Sequence, residues 1–173
     1  MVDELVDVVN EEDEVIGQEW KNKCHEEGIL HRISAVILFN SEGKMWLQIR
    51  AKGKVSAGKM DFSASGHVGA GDSYEKSAYR ELKEEIGIKT NLKLIAKKLY
   101  EHINLEGLKI KHFISLYAGK CDGPFSLQEE EVDKIEAYNQ EEIKELMKTN
   151  PNKMTTGLRL GLELYLKLKN DSK

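Results

Sequence analysis

Apolar and polar positions alternate through much of the chain with the two-residue period of β-strands. Strands are predicted at residues 6–9, 14–19, 32–39, 45–49, 61–65, 92–102, 108–119 and 135–138, with turns at 10–13, 40–43 and 104–107. Apolar positions at helical spacing predict helices from Asp72 or Ser73 to Ile86, over 140–147 and over 154–168. Strands and three helices in this order predict a mixed β-sheet of the α/β or α+β class.

The length of 173 residues suits a single domain over 1–173, in which residues 1–30 form an N-terminal hairpin extension. A net charge of −4 argues against a general nucleic-acid partner, which needs a basic face. The longest apolar runs fall far short of the ~20 residues that span a bilayer, so no membrane partner is expected. The acidic first 30 residues lack a signal-peptide core, and the chain has two cysteines. These features predict a cytoplasmic protein with reduced thiols.

The predicted helix that begins near residue 72 gathers its acidic side chains on one side. On a helical wheel, Glu81, Glu84 and Glu85 fall within an arc of about 100°. Arg80 is their local basic partner, and like charges at helical spacing are destabilising. Hard cations such as Mg²⁺ bind carboxylate oxygens, and waters and substrate phosphates complete the coordination shell. This face is therefore either a metal site or an exposed glutamate-rich surface.

A glycine-rich segment, residues 66–71, precedes this helix. Its glycines permit tight turns and a close approach of the backbone to a ligand. The helix N-terminus beside them attracts anions through its free N–H groups and its dipole. A strand, a glycine loop and an acidic helix in this order supply what a site for an anion and a metal needs.

The segment from Gly66 to Ile88 resembles the signature of the Nudix hydrolases. It reads G-x5-D-x7-R-E-L-x-E-E-x-G-I, where the family has G-x5-E-x7-R-E-U-x-E-E-x-G-U and U is aliphatic. Among the fixed positions, the one departure is Asp72, where the family usually has glutamate. The resemblance implies an α/β/α sandwich with a mixed β-sheet. It also implies Mg²⁺-dependent cleavage of a diphosphate linkage in a nucleoside di- or triphosphate or a related diphosphate, with Mn²⁺ as an alternative ion.

The resemblance assigns roles within this signature segment, residues 66–88. Glu84 and Glu85 would be the main metal ligands, and Glu81 would bind the metal or deprotonate the attacking water. Arg80 would hold a catalytic glutamate through a charge-assisted pair. Gly66 would shape the substrate-binding loop that positions the helix.

Other polar residues have two interpretations each. Asp72 is a metal ligand or, because its side chain is one methylene shorter than glutamate, a helix cap. Glu130 or Glu131 supplies a further metal ligand or base, or lies on a solvated surface. Arg50 is a candidate for binding substrate phosphates, whereas the acidic turn 11–14 is expected to face solvent.

A closer resemblance lies with Nudix proteins related to isopentenyl diphosphate isomerase, in segments 30–35, 47–50 and 65–67. That group uses a cysteine at the position of Ser65 and two glutamates on a later strand, where this chain reads Leu-Lys-Ile-Lys-His. The group's metal histidines are similar to three histidines of this chain, although the spacing of the first pair differs by one residue: His25, His31 and His67.

A serine hydroxyl is a much weaker acid than a thiol, and isomerisation requires protonation of an unreactive alkene. Loss of the cysteine and the glutamates therefore favours hydrolysis of a small-molecule diphosphate. The alternatives are an isomerase-like enzyme and a nucleotide-binding Nudix domain without catalysis. A homodimer is common in similar proteins, and the sequence itself does not test it.

Overall fold

The computed structural model describes residues 3–103 and 109–171. Its strands are β1 (Leu5–Val9), β2 (Val15–Trp20), β3 (His31–Phe39), β4 (Met45–Arg50), β5 (Met60–Asp61), β6 (Ala64–His67), β7 (Lys93–Ile103), β8 (Lys109–Lys120) and β9 (Val132–Tyr138). Its α-helices are α1 (Lys21–Glu27), α2 (Tyr74–Ile86), α3 (Gln140–Thr149) and α4 (Thr156–Asp171), with a short 3-10 helix at Pro151–Lys153. No helix in this described part of the chain is long and apolar enough to cross a membrane.

The β-sheet is mixed, and β3 lies at its centre. This strand runs parallel to β8 and antiparallel to β6. It pairs with β4 at two positions beside their turn, and β4 then pairs with β5 and β9. β7 pairs with β8, and the β1–β2 hairpin joins the sheet where Val8 lies opposite His31. The elements that meet on β3 are therefore far apart in sequence.

Two apolar cores lie on opposite faces of this sheet, because successive residues of a strand point to opposite sides. On one face, Leu82 of α2 packs in a core with Val36 of β3. On the other face, Ile37 of β3 shares a core with Leu158 and Leu162 of α4, and α3 packs in the same core. The protein is thus an α/β/α sandwich, which confirms the predicted fold class.

Helix α1 is the largest departure from the sequence prediction, which placed only a hairpin in the first 30 residues. It is 7 residues long, buries Cys24 and has no side-chain N-cap. It ends at Gly28, whose left-handed backbone lets its N–H donate to the carbonyl of Cys24. With neither a capping residue nor an apolar stripe, its sequence lacks the usual helical signals.

The glycine-rich segment also differs from its prediction. Residues 62 and 63 divide the predicted strand 61–65 into β5 and β6, and β6 continues through Gly66 and His67. These two residues are therefore held in the sheet opposite Ser34 and Ile33, and only the rest of the segment is a loop. Most other elements differ from their predicted bounds only at their ends, and the predicted turn at 104–107 lies outside the described residues.

Candidate active site

Gly66 and Glu81 make the closest approach between β6 and α2. A Cβ atom at Gly66 would lie 2.1 Å from Oε1 of Glu81 and 2.2 Å from its Cδ. Any larger residue would displace this carboxylate, so the glycine is required by close approach. Glu81 is 9% exposed. Burial raises the pKa of Glu81 to about 7, although the charge of Arg80 opposes the shift.

Glu85 is held by the residue that precedes Gly66. The backbone N–H of Ser65 donates to Oε2 of Glu85 over 3.0 Å, and Nε2 of Gln48 donates to the same oxygen over 3.2 Å. Burial, together with the nearby charge of Glu81, raises the pKa of Glu85 well above its ordinary value. A bound cation would stabilise the ionised form of such a buried carboxylate.

Arg80 connects the acidic side chains to β6. Its Nη1 lies 2.8 Å from Oε1 of Glu81 and 3.3 Å from Oε2 of Glu84. Its Nη2 donates to the carbonyl oxygen of His67 over 2.9 Å. Glu84 is exposed whereas Glu81 is buried, so α2 places one solvent-exposed and one buried carboxylate beside Arg80.

The segment after β8 packs on the C-terminal end of α2. Gly87 ends the helix with a φ of 69°, and a Cβ atom there would lie 2.8 Å from Cβ of Ser126. The backbone N–H groups of Ser126 and Gln128 donate to the carbonyls of Ile86 and Glu85, respectively. This packing satisfies two carbonyls of the last turn and brings the following residues towards the acidic face.

Glu131 is the member of the 129–131 run that comes near this face. It is half-buried and close enough to Glu81 for its charge to contribute to the raised pKa of that residue, after burial and the charges of Glu84 and Glu4. Lys54 forms an ion pair with Glu131. Glu130 is exposed, so the structure favours Glu131 as the downstream candidate.

Arg50 forms a partly buried ion pair. Its Nη1 lies 2.7 Å from Oδ2 of Asp61, and its Nε donates to the carbonyl of Val55 over 2.8 Å. Asp61 also accepts a hydrogen bond from the hydroxyl of Thr155. These contacts hold the loop 51–59 that carries Lys54, and a substrate contact by Arg50 stays a prediction.

Asp72, the departure from the family signature, is not the cap of α2. The cap is Ser73, whose hydroxyl accepts a hydrogen bond from the backbone N–H of Lys76 over 3.1 Å. Asp72 lies one residue before the cap position and forms an ion pair with the ammonium of Lys76 at 2.6 Å. The predicted capping role of Asp72 is therefore wrong.

The residues proposed from the sequence thus divide into two groups. Those that meet where β6 packs on α2, here called the acidic centre, are Gly66, Arg80, Glu81, Glu84, Glu85 and Glu131. Arg50 is bound to Asp61 beside the centre, and Asp72 is bound to Lys76 before the first turn of α2.

A second group, here called the histidine cluster, consists of His25, His31, His67 and His112. One ring nitrogen of each lies within 4.8 Å of those of the others. Nε2 of His25 is 3.1 Å from Nε2 of His67, and Nε2 of His31 is 3.1 Å from Nε2 of His112. These ring nitrogens converge closely enough to hold one metal ion.

The family resemblance points to three of these histidines and not to His112. The parallel register of β3 and β8 sets His112 opposite His31. Helix α1, which also escaped prediction, carries His25. The available signal was one histidine in a strand that also contains lysines and a serine, and it does not indicate which strand lies beside it.

The four rings are neutral near pH 7. Burial lowers the pKa of each, to about 4 for His31 and well below the usual value for His67 and His112. Nδ1 of His31 lies 2.7 Å from the carbonyl oxygen of Ile29, so this nitrogen carries the proton and donates it. Nε2 of His31 therefore presents a lone pair to the centre of the cluster.

Three consecutive residues of β6 connect the two groups. Ser65 and Gly66 contact Glu85 and Glu81 through their backbone. The ring of His67 belongs to the histidine cluster, while its carbonyl accepts a hydrogen bond from Arg80. The acidic centre and the histidine cluster are thus neighbours across one short strand.

Comparison with known proteins places this arrangement in a family. Residues 29–158 match the family model of the NUDIX domain. The chain is 32% identical to an isopentenyl-diphosphate Delta-isomerase of Serratia proteamaculans, over 89% of this chain and 87% of that protein. It is 33% identical to YfcD, an uncharacterized Nudix hydrolase of Escherichia coli, over 81% of this chain and 76% of that protein.

The fold is similar to that of a Deinococcus radiodurans protein known from its crystal structure. The TM-score is 0.72 at 23% identity, over 85% of this chain and 90% of that one. The signature helix, the sandwich fold and the match over residues 29–158 agree with one another. The chain therefore belongs to the Nudix family, within a group whose members include isopentenyl diphosphate isomerases and Nudix hydrolases.

Proposed function

We propose that the protein is a Mg²⁺-dependent hydrolase that cleaves the diphosphate linkage of a nucleoside di- or triphosphate or a related diphosphate. The observation that supports this most directly is the set Arg80, Glu81, Glu84 and Glu85, supported by the backbone of β6. Carboxylate oxygens at several depths suit a hard cation whose remaining ligands are waters and phosphate oxygens.

Each residue of the acidic centre has a proposed task. Glu84 and Glu85 bind the metal, and Glu131 is a further ligand that Lys54 holds until the ion binds. Glu81 binds the metal or accepts the proton of the attacking water, a task that suits a pKa near 7. Bound Mg²⁺ supplies charge neutralisation for the phosphates and acidifies a bound water.

The remaining tasks concern position. Arg80 orients Glu81 through a charge-assisted contact and ties it to the carbonyl of His67. Gly66 leaves the space that the Glu81 carboxylate occupies. Arg50 holds the loop 51–59 through Asp61 and is the proposed contact for substrate phosphate.

An isomerase-like activity is the second candidate, because a curated relative with 32% identity is named an isopentenyl-diphosphate isomerase. The chain has Ser65 where that group has its cysteine, and residues 109–120 of β8 contain neither Asp nor Glu. Isomerisation would therefore lack both the thiol and the strand carboxylates. A nucleotide-binding domain without catalysis is the third candidate, and the intact pair Glu84 and Glu85 argues against it.

A substrate screen tests these three candidates together. The purified protein is incubated with nucleoside di- and triphosphates, sugar nucleotides and prenyl diphosphates, in Mg²⁺ or Mn²⁺, and the products are identified by mass spectrometry and NMR. Release of phosphate or a monophosphate is the expected result. A double-bond shift in a prenyl diphosphate without phosphate release would replace the proposal with isomerisation, and saturable binding without turnover would indicate a binding domain.

Variants then test whether the acidic centre is responsible. Glu84→Gln and Glu85→Gln are expected to lower turnover at least about 100-fold and to weaken Mg²⁺ binding. Glu75→Gln is the matched control, because Glu75 is an exposed glutamate in the first turn of the same helix. Turnover that survives both changes would show that α2 does not hold the catalytic metal.

A further inference from the structure

We infer that Gln48 is a positioning residue of the acidic centre, which orients the Glu85 carboxylate so that this group can bind a metal ion. The inference rests on the proposed function, because it takes Glu85 as a ligand of Mg²⁺. It adds to the site a residue of β4, which lies outside the signature segment 66–88.

Gln48 is a polar residue in the interior of the sheet. It is 1% exposed, and in register it lies between Asp61 of β5 on one side and Ile135 of β9 on the other. A buried amide is unfavourable unless hydrogen bonds replace those that it made with water. The partners of this amide therefore indicate why a glutamine occupies the position.

The two polar atoms of the Gln48 amide differ in their surroundings. Nε2 donates to Oε2 of Glu85 over 3.2 Å. Oε1 is buried and has no hydrogen-bond partner among the described residues. A buried carbonyl oxygen without a donor lowers stability, and an apolar side chain of the same length would avoid this loss. Stability therefore does not account for the glutamine, whereas its contact with Glu85 does.

Glu85 is held from two strands at one of its two carboxylate oxygens. The backbone N–H of Ser65 on β6 and Nε2 of Gln48 on β4 both donate to Oε2. Two donors on one oxygen fix the orientation of the carboxylate and leave Oε1 without a contact to either donor. Hydrogen bonds of this kind orient the carboxylates that bind metals, and their loss lowers metal affinity by about 10–100-fold.

The same contact acts on the charge of Glu85. Burial and the nearby charge of Glu81 oppose ionisation of this carboxylate, whereas an N–H that donates to it favours the ionised form. A carboxyl group must be ionised to bind a metal ion. Without the Gln48 amide, Glu85 would be both less well oriented and less readily ionised.

The experiment compares wild type with Gln48→Met, which keeps the length of the side chain and removes the amide. Mg²⁺ is titrated into the metal-free full chain, and binding is followed through the amide signals of NMR spectra. Mg²⁺ is the probe because imidazole nitrogen suits other metals, so the histidine cluster does not compete for it. Gln48→Met is expected to bind Mg²⁺ about 10–100-fold more weakly than wild type. Its melting temperature without metal should equal or exceed that of wild type, because the unpaired carbonyl is gone.

Two comparisons separate a positioning role from a general effect. Gln18→Met is the matched control, since Nε2 of Gln18 also donates from a strand to a carboxylate, that of Asp7, and it should bind Mg²⁺ like wild type. In a protein that already carries Glu85→Gln, the change Gln48→Met should weaken Mg²⁺ binding no further, because Gln48 acts through Glu85. Once the screen has identified a substrate, excess Mg²⁺ should restore kcat in Gln48→Met.

Equal Mg²⁺ affinity in wild type and Gln48→Met would overturn the inference and leave the proposed hydrolysis intact. A lower melting temperature of metal-free Gln48→Met would also overturn it, because the amide would then serve stability. Absence of Mg²⁺ binding by wild type would contradict the proposed function itself, and the inference with it. Since the titration needs no substrate, a screen without turnover would leave its result unaffected.

Discussion

At the scale of single residues, the acidic centre depends on the lack of a side chain at Gly66. The glycine lies in the regular strand β6, and its backbone does not need the left-handed region. Its importance comes from the Glu81 carboxylate, which occupies the space that a side chain would fill. The family signature reveals the glycine in the sequence, but the reason for it appears only when β6 and α2 are packed together.

Gly66→Ala is therefore expected to displace the Glu81 carboxylate and lower turnover by about 100-fold, the effect of a misplacement of about 1 Å at a catalytic group. The measurement is kcat on the substrate that the screen identifies. Gly17→Ala is the matched control, because Gly17 also lies in a strand and has no atom within 4 Å of its would-be Cβ. Unchanged kcat in Gly66→Ala would show that the position of Glu81 is not critical.

The raised pKa of Glu81 predicts how stability depends on pH in the metal-free protein. An unfolded glutamate has a pKa of 4.5 and the folded one about 7, so the folded state holds more protons between these values. Its contribution to stability is therefore lost as pH rises from 4.5 to 7. Glu81→Gln, which stays neutral, should be more stable than wild type at pH 8 by up to about 3 kcal/mol.

Urea unfolding in EDTA at pH 4.5 and pH 8 checks this expectation. The two proteins should be similar in stability at the lower pH and differ at the higher one. An equal loss of stability in both proteins would assign the pH dependence to other groups. Glu75→Gln should follow wild type at both pH values, since Glu75 is exposed.

At the scale of elements, α2 is positioned by its ends as well as by its apolar face. Ser73 caps the N-terminus, and Gly87 lets the segment around Ser126 pack on the C-terminus. The cap fixes where the helix begins and therefore which side chains face β6. A weakened cap would loosen the first turn of α2 and leave Glu81, Glu84 and Glu85 in place, because these three residues lie in the later turns.

Ser73→Ala should lower the free energy of unfolding by about 1 kcal/mol, because it removes an N-cap hydrogen bond. Asp72→Asn should lower it by about 0.5 kcal/mol or less, because it removes only an i,i+4 ion pair with the mostly exposed Lys76. Chemical denaturation of both variants measures the difference. A larger loss in Asp72→Asn than in Ser73→Ala would reverse the assignment of the cap.

Elements with strong local patterns could be predicted from the sequence, whereas helix α1 and the pairing of distant strands could not. α2 has an apolar stripe and a terminal glycine, and the predicted bounds agree closely with Tyr74–Ile86. α1 has neither signal, and its position depends on contacts with residues far along the chain. The turn predicted at 40–43 joins β3 and β4, but these strands pair at only two positions, and β3 pairs mainly with β6 and β8.

The same distinction holds for the acidic centre and the histidine cluster. All residues of the acidic centre except Glu131 come from one helix and the strand before it, so they lie within one signature and could be found in the sequence. The histidine cluster spans His25 to His112 and depends on the parallel register of β3 and β8. The family resemblance points to three of these histidines, but His112 can be added only when the neighbouring strands are known.

At the scale of the whole molecule, the turn of the β1–β2 hairpin makes side-chain contacts that hold the hairpin on the rest of the sheet. The acidic turn 11–14 is expected from its sequence to face solvent, and for Asp13 this prediction is wrong. Its side chain is 5% exposed and accepts hydrogen bonds from Arg32 at 2.7 Å, from the Tyr74 hydroxyl at 2.9 Å and from Lys97. Asp13 thus joins the hairpin to β3, β7 and the start of α2.

Asp13→Asn should lower the free energy of unfolding at pH 7 by about 2 kcal/mol, because the variant loses hydrogen bonds to a charged group. Asparagine is chosen because it tolerates the left-handed backbone that Asp13 adopts. Burial alone would raise the pKa of Asp13, but the hydrogen bonds from Lys97, Arg32 and Tyr74 outweigh it and lower the pKa below 3.8. The stabilisation is therefore present above pH 3.8 and is lost as pH falls through the lower folded-state value. Wild type and variant should converge in stability at acid pH.

Hydrogen exchange distinguishes a local effect of Asp13→Asn from a global one. If the turn fastens the hairpin, exchange should quicken first in β1 and β2, while β8 keeps its protection until global unfolding. Glu12→Gln is the matched control, because Glu12 lies in the same turn and is exposed. Uniform acceleration of exchange in all strands would show that the hairpin does not open separately from the sheet. Equal effects of Asp13→Asn and Glu12→Gln would show that the contacts of Asp13 add nothing to stability.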